Sequence, residues 1–83
     1  ALLDANAHLV HWEHAGLAAL CGVQIRPVAA RAGRLVMDAA ALAAAVRPSS
    51  PHAPRASLVC LENTHNGAGG VVTPLAELRA LAD

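Results

Sequence analysis

The chain has 83 residues, of which 21 are alanine, with one Trp and no Phe or Tyr, so its core has little apolar area to bury. Six basic and six acidic side chains give a formal net charge of zero, and no apolar run reaches the roughly 20 residues that span a bilayer. Nucleic acid and membrane are therefore not expected as partners, and we expect one partial domain that packs against further protein.

The first half of the chain predicts two strands separated by a helix. Residues 1–3 are typical of a strand end, and the apolar and small residues over 10–21 favour a helix. Gly22 stands where a helix ends in a left-handed conformation. Residues 23–28 alternate apolar and polar side chains, which predicts a strand, and Pro27 restricts that strand to an end or an edge position.

A second helix is predicted over residues 39–47. Asp38 is its predicted N-cap, because a carboxylate there can accept a backbone N–H of the first turn. Leu42 and Val46 lie four apart and define its apolar face. Pro48 ends the helix and opens a Pro-rich loop.

The last part of the chain predicts a third strand and a third helix. Residues 58–61 are an unbroken apolar run, typical of a strand buried on both faces. Thr73 is the predicted N-cap of the final helix, with Pro74 at its first position. The alternation of strand and helix predicts an α/β fold, a three-layer segment with parallel strands and crossover helices.

The two cysteines, Cys21 and Cys60, are isolated and each lies in an apolar run. That placement predicts reduced thiols in the core, and hence a cytoplasmic protein. All six basic residues are Arg, and the chain contains no Lys.

The stretch Glu62–Gly70 directly follows the predicted third strand and is rich in polar residues. Ligands of open α/β sheets bind beyond the carboxyl ends of the strands, so this stretch is a candidate site. A carboxylate at Glu62 needs hydrogen-bond partners, and His65 is expected to bond to nearby backbone. The candidate partners of Glu62 are Asn63, Thr64 and Asn66. The glycines that close the stretch lack the Lys of a phosphate-binding loop and indicate a sharp turn.

Three histidines, His8, His11 and His14, are spaced by three residues, with Glu13 beside them. Imidazoles and a carboxylate are zinc ligands, so this group is a candidate metal site. The paired spacing of zinc-binding helices is missing, and two of the histidines are explained as solvated helix-surface residues. We predict no metal here.

Five motifs occur in the order and at the spacing that they have in one enzyme family. They are Asp4–His8, Trp12–Gly16, Arg47–Pro48, Pro51–Arg55 and Leu61–Asn66. A pair of glycines and a Pro-Leu pair follow the last of them. Together they resemble the threonine aldolases, which are pyridoxal-phosphate enzymes of the aspartate-aminotransferase-like fold type I superfamily and are grouped with the β-eliminating lyases.

The resemblance implies that residues 1–83 are a partial cofactor-binding large domain, cut at both ends. It implies pyridoxal 5′-phosphate as cofactor and a small amino acid as substrate. The reaction would be retro-aldol cleavage of threonine or allo-threonine to glycine and an aldehyde. The complete protein would be a homo-oligomer, a dimer or tetramer, whose active site draws residues from two subunits.

The resemblance also assigns roles to two histidines. His8 matches the family histidine that stacks on the cofactor ring, and His52 matches a second histidine near the substrate hydroxyl. A neutral imidazole at physiological pH suits removal of the hydroxyl proton as the Cα–Cβ bond breaks. Four residues would support these two by orienting groups or shaping the loop beside the cofactor: Glu13, Glu62, Asn63 and His65.

The chain departs from the family pattern at several positions. Ala53 stands where Phe is common, Gly67 where Arg is common, and Met37 and residues 39–41 where acidic or Pro residues open a helix. The family lysine that holds the cofactor, its phosphate-binding loop and its pyridine-binding Asp have no match here. We therefore expect these 83 residues to be inactive alone and to fold poorly by themselves.

Two other functions stay open from the residues. One is a related fold type I enzyme, a β-eliminating lyase acting on cysteine or an aromatic amino acid. The other is a non-catalytic, His-rich metal-binding or scaffold module.

Overall fold

The computed structural model describes residues 1–48 and 50–82, which form a three-stranded parallel sheet with helices packed against it. The strands are β1 (Leu2–Asp4), β2 (Arg26–Val28) and β3 (Val59–Cys60). They lie in the order β2-β1-β3, with Leu2 opposite Arg26 on one side and Val59 on the other. The predicted α/β fold with parallel strands is confirmed.

Helices connect the strands, as parallel neighbours require. They are α1 (His8–His11), α2 (Gly16–Cys21), α3 (Ala39–Ala45) and α4 (Leu75–Ala82), with a 3-10 turn at Asn66–Ala68. The first connection holds α1 and α2, and the second holds α3. Within 1–48 and 50–82, the helices are too short to cross a membrane.

The helix predicted over residues 10–21 is in fact two short helices. His14 and Ala15 have φ angles of 51° and 53°, a left-handed backbone that an α-helix cannot contain, so the chain turns and starts again. The three histidines therefore do not share one helix face. At the end of α2, Gly22 has a φ of 64°, which confirms its predicted role as a left-handed cap.

Asp38 caps α3 as predicted, because its Oδ1 accepts a hydrogen bond from the Ala41 N–H at 3.0 Å. The guanidinium of Arg31 bonds to both oxygens of the same carboxylate. These contacts, the Arg31 hydrogen bond above all, hold the pKa of Asp38 well below its usual range. The carboxylate thus stays ionised where the helix dipole favours negative charge.

The boundaries of α3 and α4 differ from the predictions. Val46 lies beyond the end of α3 and is 54% exposed, so its assignment to the apolar face was wrong. Its backbone is already extended, with Pro48 two residues further on. Helix α4 begins at Leu75, one residue later than predicted, and the carbonyl of Pro74 accepts its first intrahelical hydrogen bond.

The core lies between one face of the sheet and helices α3 and α4. Its buried members are Leu2, Val28, Met37, Ala41, Leu42 and Leu81. Small alanines on α3 let that helix lie close to the strands, which is why an alanine-rich sequence still forms a core.

The third strand is not buried on both faces, contrary to the prediction for residues 58–61. Three apolar side chains in and beside the strand are between 39% and 46% exposed: Leu58, Val59 and Leu61. In the described part of the chain β3 pairs with β1 alone, so one side of it stays open. Pro27 lies in β2 at the opposite edge, where its missing N–H costs no ladder bond, as predicted.

The two cysteines differ in burial. Cys21 ends α2 and is exposed, so its assignment to the core was wrong, whereas Cys60 in β3 is partly buried. Both thiols are free. Cys21 lies in an apolar run, but that run forms helix α2, none of whose residues is buried. The sequence pattern alone did not indicate this exposure.

Candidate functional site

A cleft of about 520 Å³ opens beyond the carboxyl ends of β1 and β3. Its lining combines an apolar part (Leu3, Ala7, Leu9, Cys60 and Leu61) with four polar side chains (His8, Glu13, Glu62 and Asn63). Small-molecule sites typically have volumes of about 300 to 1,000 Å³ and this mixture of apolar lining and few polar groups. The cleft is therefore the candidate binding site.

His8 is the first residue of α1 and is held by two carboxylates. Its backbone N–H donates to Oε2 of Glu62 at 2.8 Å, and its Nδ1 lies 3.1 Å from Oε2 of Glu13. Because a carboxylate can only accept, Nδ1 carries the hydrogen and Nε2 is the acceptor nitrogen of the neutral ring. The side chains of His8 and Glu13 are about half exposed, which leaves the ring accessible from the cleft.

Glu62 connects the end of β3 to two other segments. Its Oε2 accepts from the N–H of His8, and its Oε1 accepts from the N–H of Asn66 at 3.1 Å. These hydrogen bonds, first the one from His8, lower the pKa of Glu62 against the opposing effect of burial. A lowered folded-state pKa stabilises the fold above the ordinary pKa of the group, and this stabilisation is lost as the pH falls through the folded value.

Of the partners predicted for Glu62, Asn66 is confirmed through its backbone N–H. Asn63 bonds elsewhere: its Oδ1 accepts from the Thr73 N–H at 3.0 Å, and its Nδ2 donates to the Thr73 carbonyl at 3.4 Å. Thr73 is buried, and its backbone serves as the attachment point for the polar loop two residues ahead of α4. With these two hydrogen bonds, the side chain of Asn63 pairs with the Thr73 backbone as a neighbouring strand would. The pairing joins the two ends of the polar loop.

A buried carboxylate, Asp4, lies beneath the cleft and was missed by the sequence reasoning. Its Oδ1 accepts from the Asn6 N–H at 2.8 Å, and its Oδ2 accepts from the Met37 N–H at 2.5 Å. His65, 2% exposed, places Nε2 at 3.3 Å from Oδ1 of Asp4, outside hydrogen-bond alignment. Its Nδ1 accepts from the Ala68 N–H, so Nε2 carries the hydrogen that faces the carboxylate. The available signal was an Asp placed directly at a strand end.

The glycines of the polar loop serve two purposes. Gly69 and Gly70 have φ angles of 85° and 79°, which confirms the predicted turn. Gly67 is needed for a close approach instead, because a Cβ there would lie 2.6 Å from the carbonyl oxygen of Asn6. The loop after β3 thus packs against the turn after β1 at this residue.

Replacing Gly67 by alanine in the full-length protein should destabilise it by about 2 kcal/mol, because the added methyl group forces the two segments apart. Chemical denaturation monitored by circular dichroism measures the change. Gly16→Ala is the matched control, since a Cβ there meets nothing within 4 Å, and its effect should stay below about 1 kcal/mol. Equal destabilisation by both changes would show that the contact with Asn6 carries no weight.

The other predicted site residues lie outside the cleft. His52 lies in an exposed turn, where its N–H donates to Oγ of Ser50 at 3.1 Å, and it does not line the cleft in the described structure. His11 donates through Nε2 to the carbonyl of Ala5 at 2.7 Å. In residues 1–48 and 50–82, no group of three or more His, Cys, Asp or Glu side chains is arranged to hold a metal ion. The structure brings His8, Glu13, Glu62 and Asn63 together, with His65 beneath them.

The cleft fits the cofactor implied by the family resemblance in size and lining. An imidazole at its mouth can stack on a planar heteroaromatic ring, and the apolar residues of β1 and β3 can contact the ring edge. The chain has no lysine, so a covalent link to such a cofactor requires a residue outside positions 1–83.

The chain is similar to known proteins along its whole length. The family described as Beta-eliminating lyase matches residues 1–83. The chain is 33% identical over 82 residues to the alanine racemase TOXG of Cochliobolus carbonum, which covers 99% of this chain and 20% of that protein. It is 30% identical over 74 residues to the uncharacterized protein R102.4 of Caenorhabditis elegans, with coverage of 89% and 18%. The chain thus spans about a fifth of the length of these curated relatives.

Proposed function

This chain belongs to the β-eliminating lyase family, and on that premise we propose that it forms part of a pyridoxal-phosphate-dependent lyase that cleaves β-hydroxy-α-amino acids. Members of this family generally depend on pyridoxal phosphate. Threonine and allo-threonine are the proposed substrates, and glycine and acetaldehyde the products. The proposal joins the family membership to the motif pattern of Asp4–His8 and Leu61–Asn66.

The observation that carries the proposal is the placement of His8 in the cleft with its Nδ1 at 3.1 Å from the Glu13 carboxylate. This pairing fixes one tautomer of the ring and makes Nε2 the more basic, proton-accepting atom. Retro-aldol cleavage requires removal of the β-hydroxyl proton while the electron pair of the Cα–Cβ bond stays on Cα. A neutral imidazole at the cleft, directly or through one water molecule, is suited to that proton transfer.

His8, Glu13 and the apolar lining residues have different roles in this proposal. His8 would stack on the cofactor and would hold or relay the proton at Nε2, while Glu13 orients its ring. Pyridoxal phosphate, when bound, supplies the electron sink for the carbanion left at Cα. The apolar residues of β1 and β3 exclude water from one side of the site. The role of His52 is the one that the resemblance implies, a contact near the substrate hydroxyl. The exposed turn that carries His52 would have to approach the cleft for this contact.

A second candidate function is amino acid racemisation, which the name of one relative favours. A racemase also removes a proton from an amino acid, but at Cα, and it leaves the Cα–Cβ bond intact. The two functions therefore differ in their products rather than in the kind of cofactor they need.

The test is an assay of the full-length protein, purified with pyridoxal phosphate, against four amino acids. We expect glycine and acetaldehyde from threonine or allo-threonine, little pyruvate from cysteine, and no conversion of L-alanine to D-alanine. Liquid chromatography on a chiral column with mass spectrometry separates D-alanine from L-alanine and quantifies the products. Pyruvate as the main product would point to β-elimination, D-alanine would point to racemisation, and either result without glycine would reject the aldolase proposal.

A further inference from the structure

The carboxylate of Glu62 accepts backbone hydrogen bonds from two segments that are far apart in the chain. Oε2 accepts the N–H of His8, 54 positions away, and Oε1 accepts the N–H of Asn66 at the start of the 3-10 turn. The side chain therefore joins the end of β3, the start of α1 and the polar loop.

The other side-chain hydrogen bonds of helix α1 go to residues nearby in the chain, from His11 to the Ala5 carbonyl and from His8 Nδ1 to Glu13. The helix is four residues long, none of them is buried, and Ala7 at its N-cap position has no side chain that can accept a hydrogen bond. Such a short helix is unstable without tertiary contacts. The N–H of its first residue, His8, finds its acceptor in Glu62.

We infer that Glu62 is a positioning residue for His8, whose backbone it fixes at the wall of the cleft. This inference rests on the proposed function, because His8 is the residue that would contact cofactor and substrate. Glu13 holds the imidazole ring and Glu62 holds the main chain, so two carboxylates from different segments determine where Nε2 lies.

A direct chemical role for Glu62 is less consistent with its contacts. Each of its oxygens accepts a backbone N–H group, and these contacts favour the ionised carboxylate over its protonated form. The same contacts lower the pKa of the group, which keeps it ionised and prevents it from donating a proton at neutral pH. Glu62 therefore contributes to the site through the position of the residues that its hydrogen bonds hold.

The experiment compares Glu62→Gln with Glu77→Gln in the full-length protein. Glutamine keeps one acceptor oxygen and turns an NH₂ group toward the other N–H, so one contact is lost. Glu77 is the matched control because its carboxylate, which lies on α4 and pairs with Arg34, is outside the cleft. We expect Glu62→Gln to weaken cofactor binding about tenfold and Glu77→Gln to change it less than twofold.

Hydrogen–deuterium exchange on the cofactor-free protein provides a readout that does not depend on catalysis. In Glu62→Gln, peptides covering residues 7–12 should exchange faster, whereas peptides covering α4 should not change. Glu62→Ala, which removes both acceptors, should give a larger effect at the same peptides. Unchanged exchange at residues 7–12 in the folded Glu62→Gln protein would overturn the inference.

A double-mutant cycle tests whether Glu62 acts through His8. If it does, Glu62→Gln should weaken cofactor binding less than twofold further when His8 is already alanine. A full, independent loss in that background would show that Glu62 acts on the ligand by another route. Failure of the wild-type protein to form glycine would reject the proposed function, while the exchange measurement would still decide whether Glu62 holds the His8 segment.

Discussion

Replacing Asp4 by alanine should destabilise the full-length protein by about 3 kcal/mol, because the change leaves buried N–H groups without an acceptor. The carboxylate accepts from the N–H groups of Asn6 and Met37, and it faces the buried imidazole of His65. All three partners come from different segments, so the loss would loosen the turn after β1 and the polar loop together. Urea denaturation followed by fluorescence or circular dichroism gives the change in free energy of unfolding.

Asp4→Asn and Glu77→Gln serve as comparisons. Asparagine retains one acceptor oxygen, so Asp4→Asn should cost clearly less than Asp4→Ala. Glu77 and Arg34 are both partly exposed and form a surface ion pair, so its loss should cost less than about 1 kcal/mol. A cost below that value for Asp4→Ala would show that these buried hydrogen bonds are replaced by other partners.

His8→Ala should lower kcat/KM for the cleavage of threonine or allo-threonine by at least about 100-fold, the usual contribution of a general acid or base. The same change should weaken binding of pyridoxal phosphate, because the stacking partner of the ring is removed. Steady-state kinetics and a titration of the cofactor absorbance measure the two effects separately.

His14→Asn is the matched control for this prediction. It removes an imidazole from an exposed neighbouring position, and asparagine tolerates the left-handed backbone found there. We expect its kcat/KM to stay within about threefold of the wild type, as for a surface residue without a role in the site. If His8→Ala behaved like His14→Asn, His8 would have no part in the reaction.

The fold was largely predictable because its signals are local. Gly22 ended a helix and Asp38 began one through contacts within a few residues, and both predictions are confirmed. The break at His14 and Ala15 was not predictable, since both residues are compatible with a helix and no neighbouring turn residue indicates their positive φ angles. The prediction that residues 58–61 are buried was wrong for a related reason. An apolar run does not indicate how many neighbouring strands or helices will cover it.

The candidate site was predictable in location but not in its connections. The polar residues after β3 and the histidine after β1 were expected near the carboxyl ends of the strands, and the cleft lies there. No role is predicted for Asp4 from the sequence, because nothing in the neighbouring residues indicates that it accepts a hydrogen bond from Met37 and lies against His65. His52 was expected near His8 from the resemblance alone, and the described structure places it in an exposed turn.

The sequence by itself determined the alternation of strands and helices, the parallel sheet and the broader β-eliminating lyase family, because periodicity, turn residues and short motifs are properties of neighbouring residues. Only the tertiary structure decided which groups meet. Glu62 reaches the N–H of His8 across 54 positions, and His65 lies against Asp4, because β1 and β3 are adjacent in the sheet and end at the same edge. Hydrogen bonds between distant segments depend on that geometry, which no local pattern encodes.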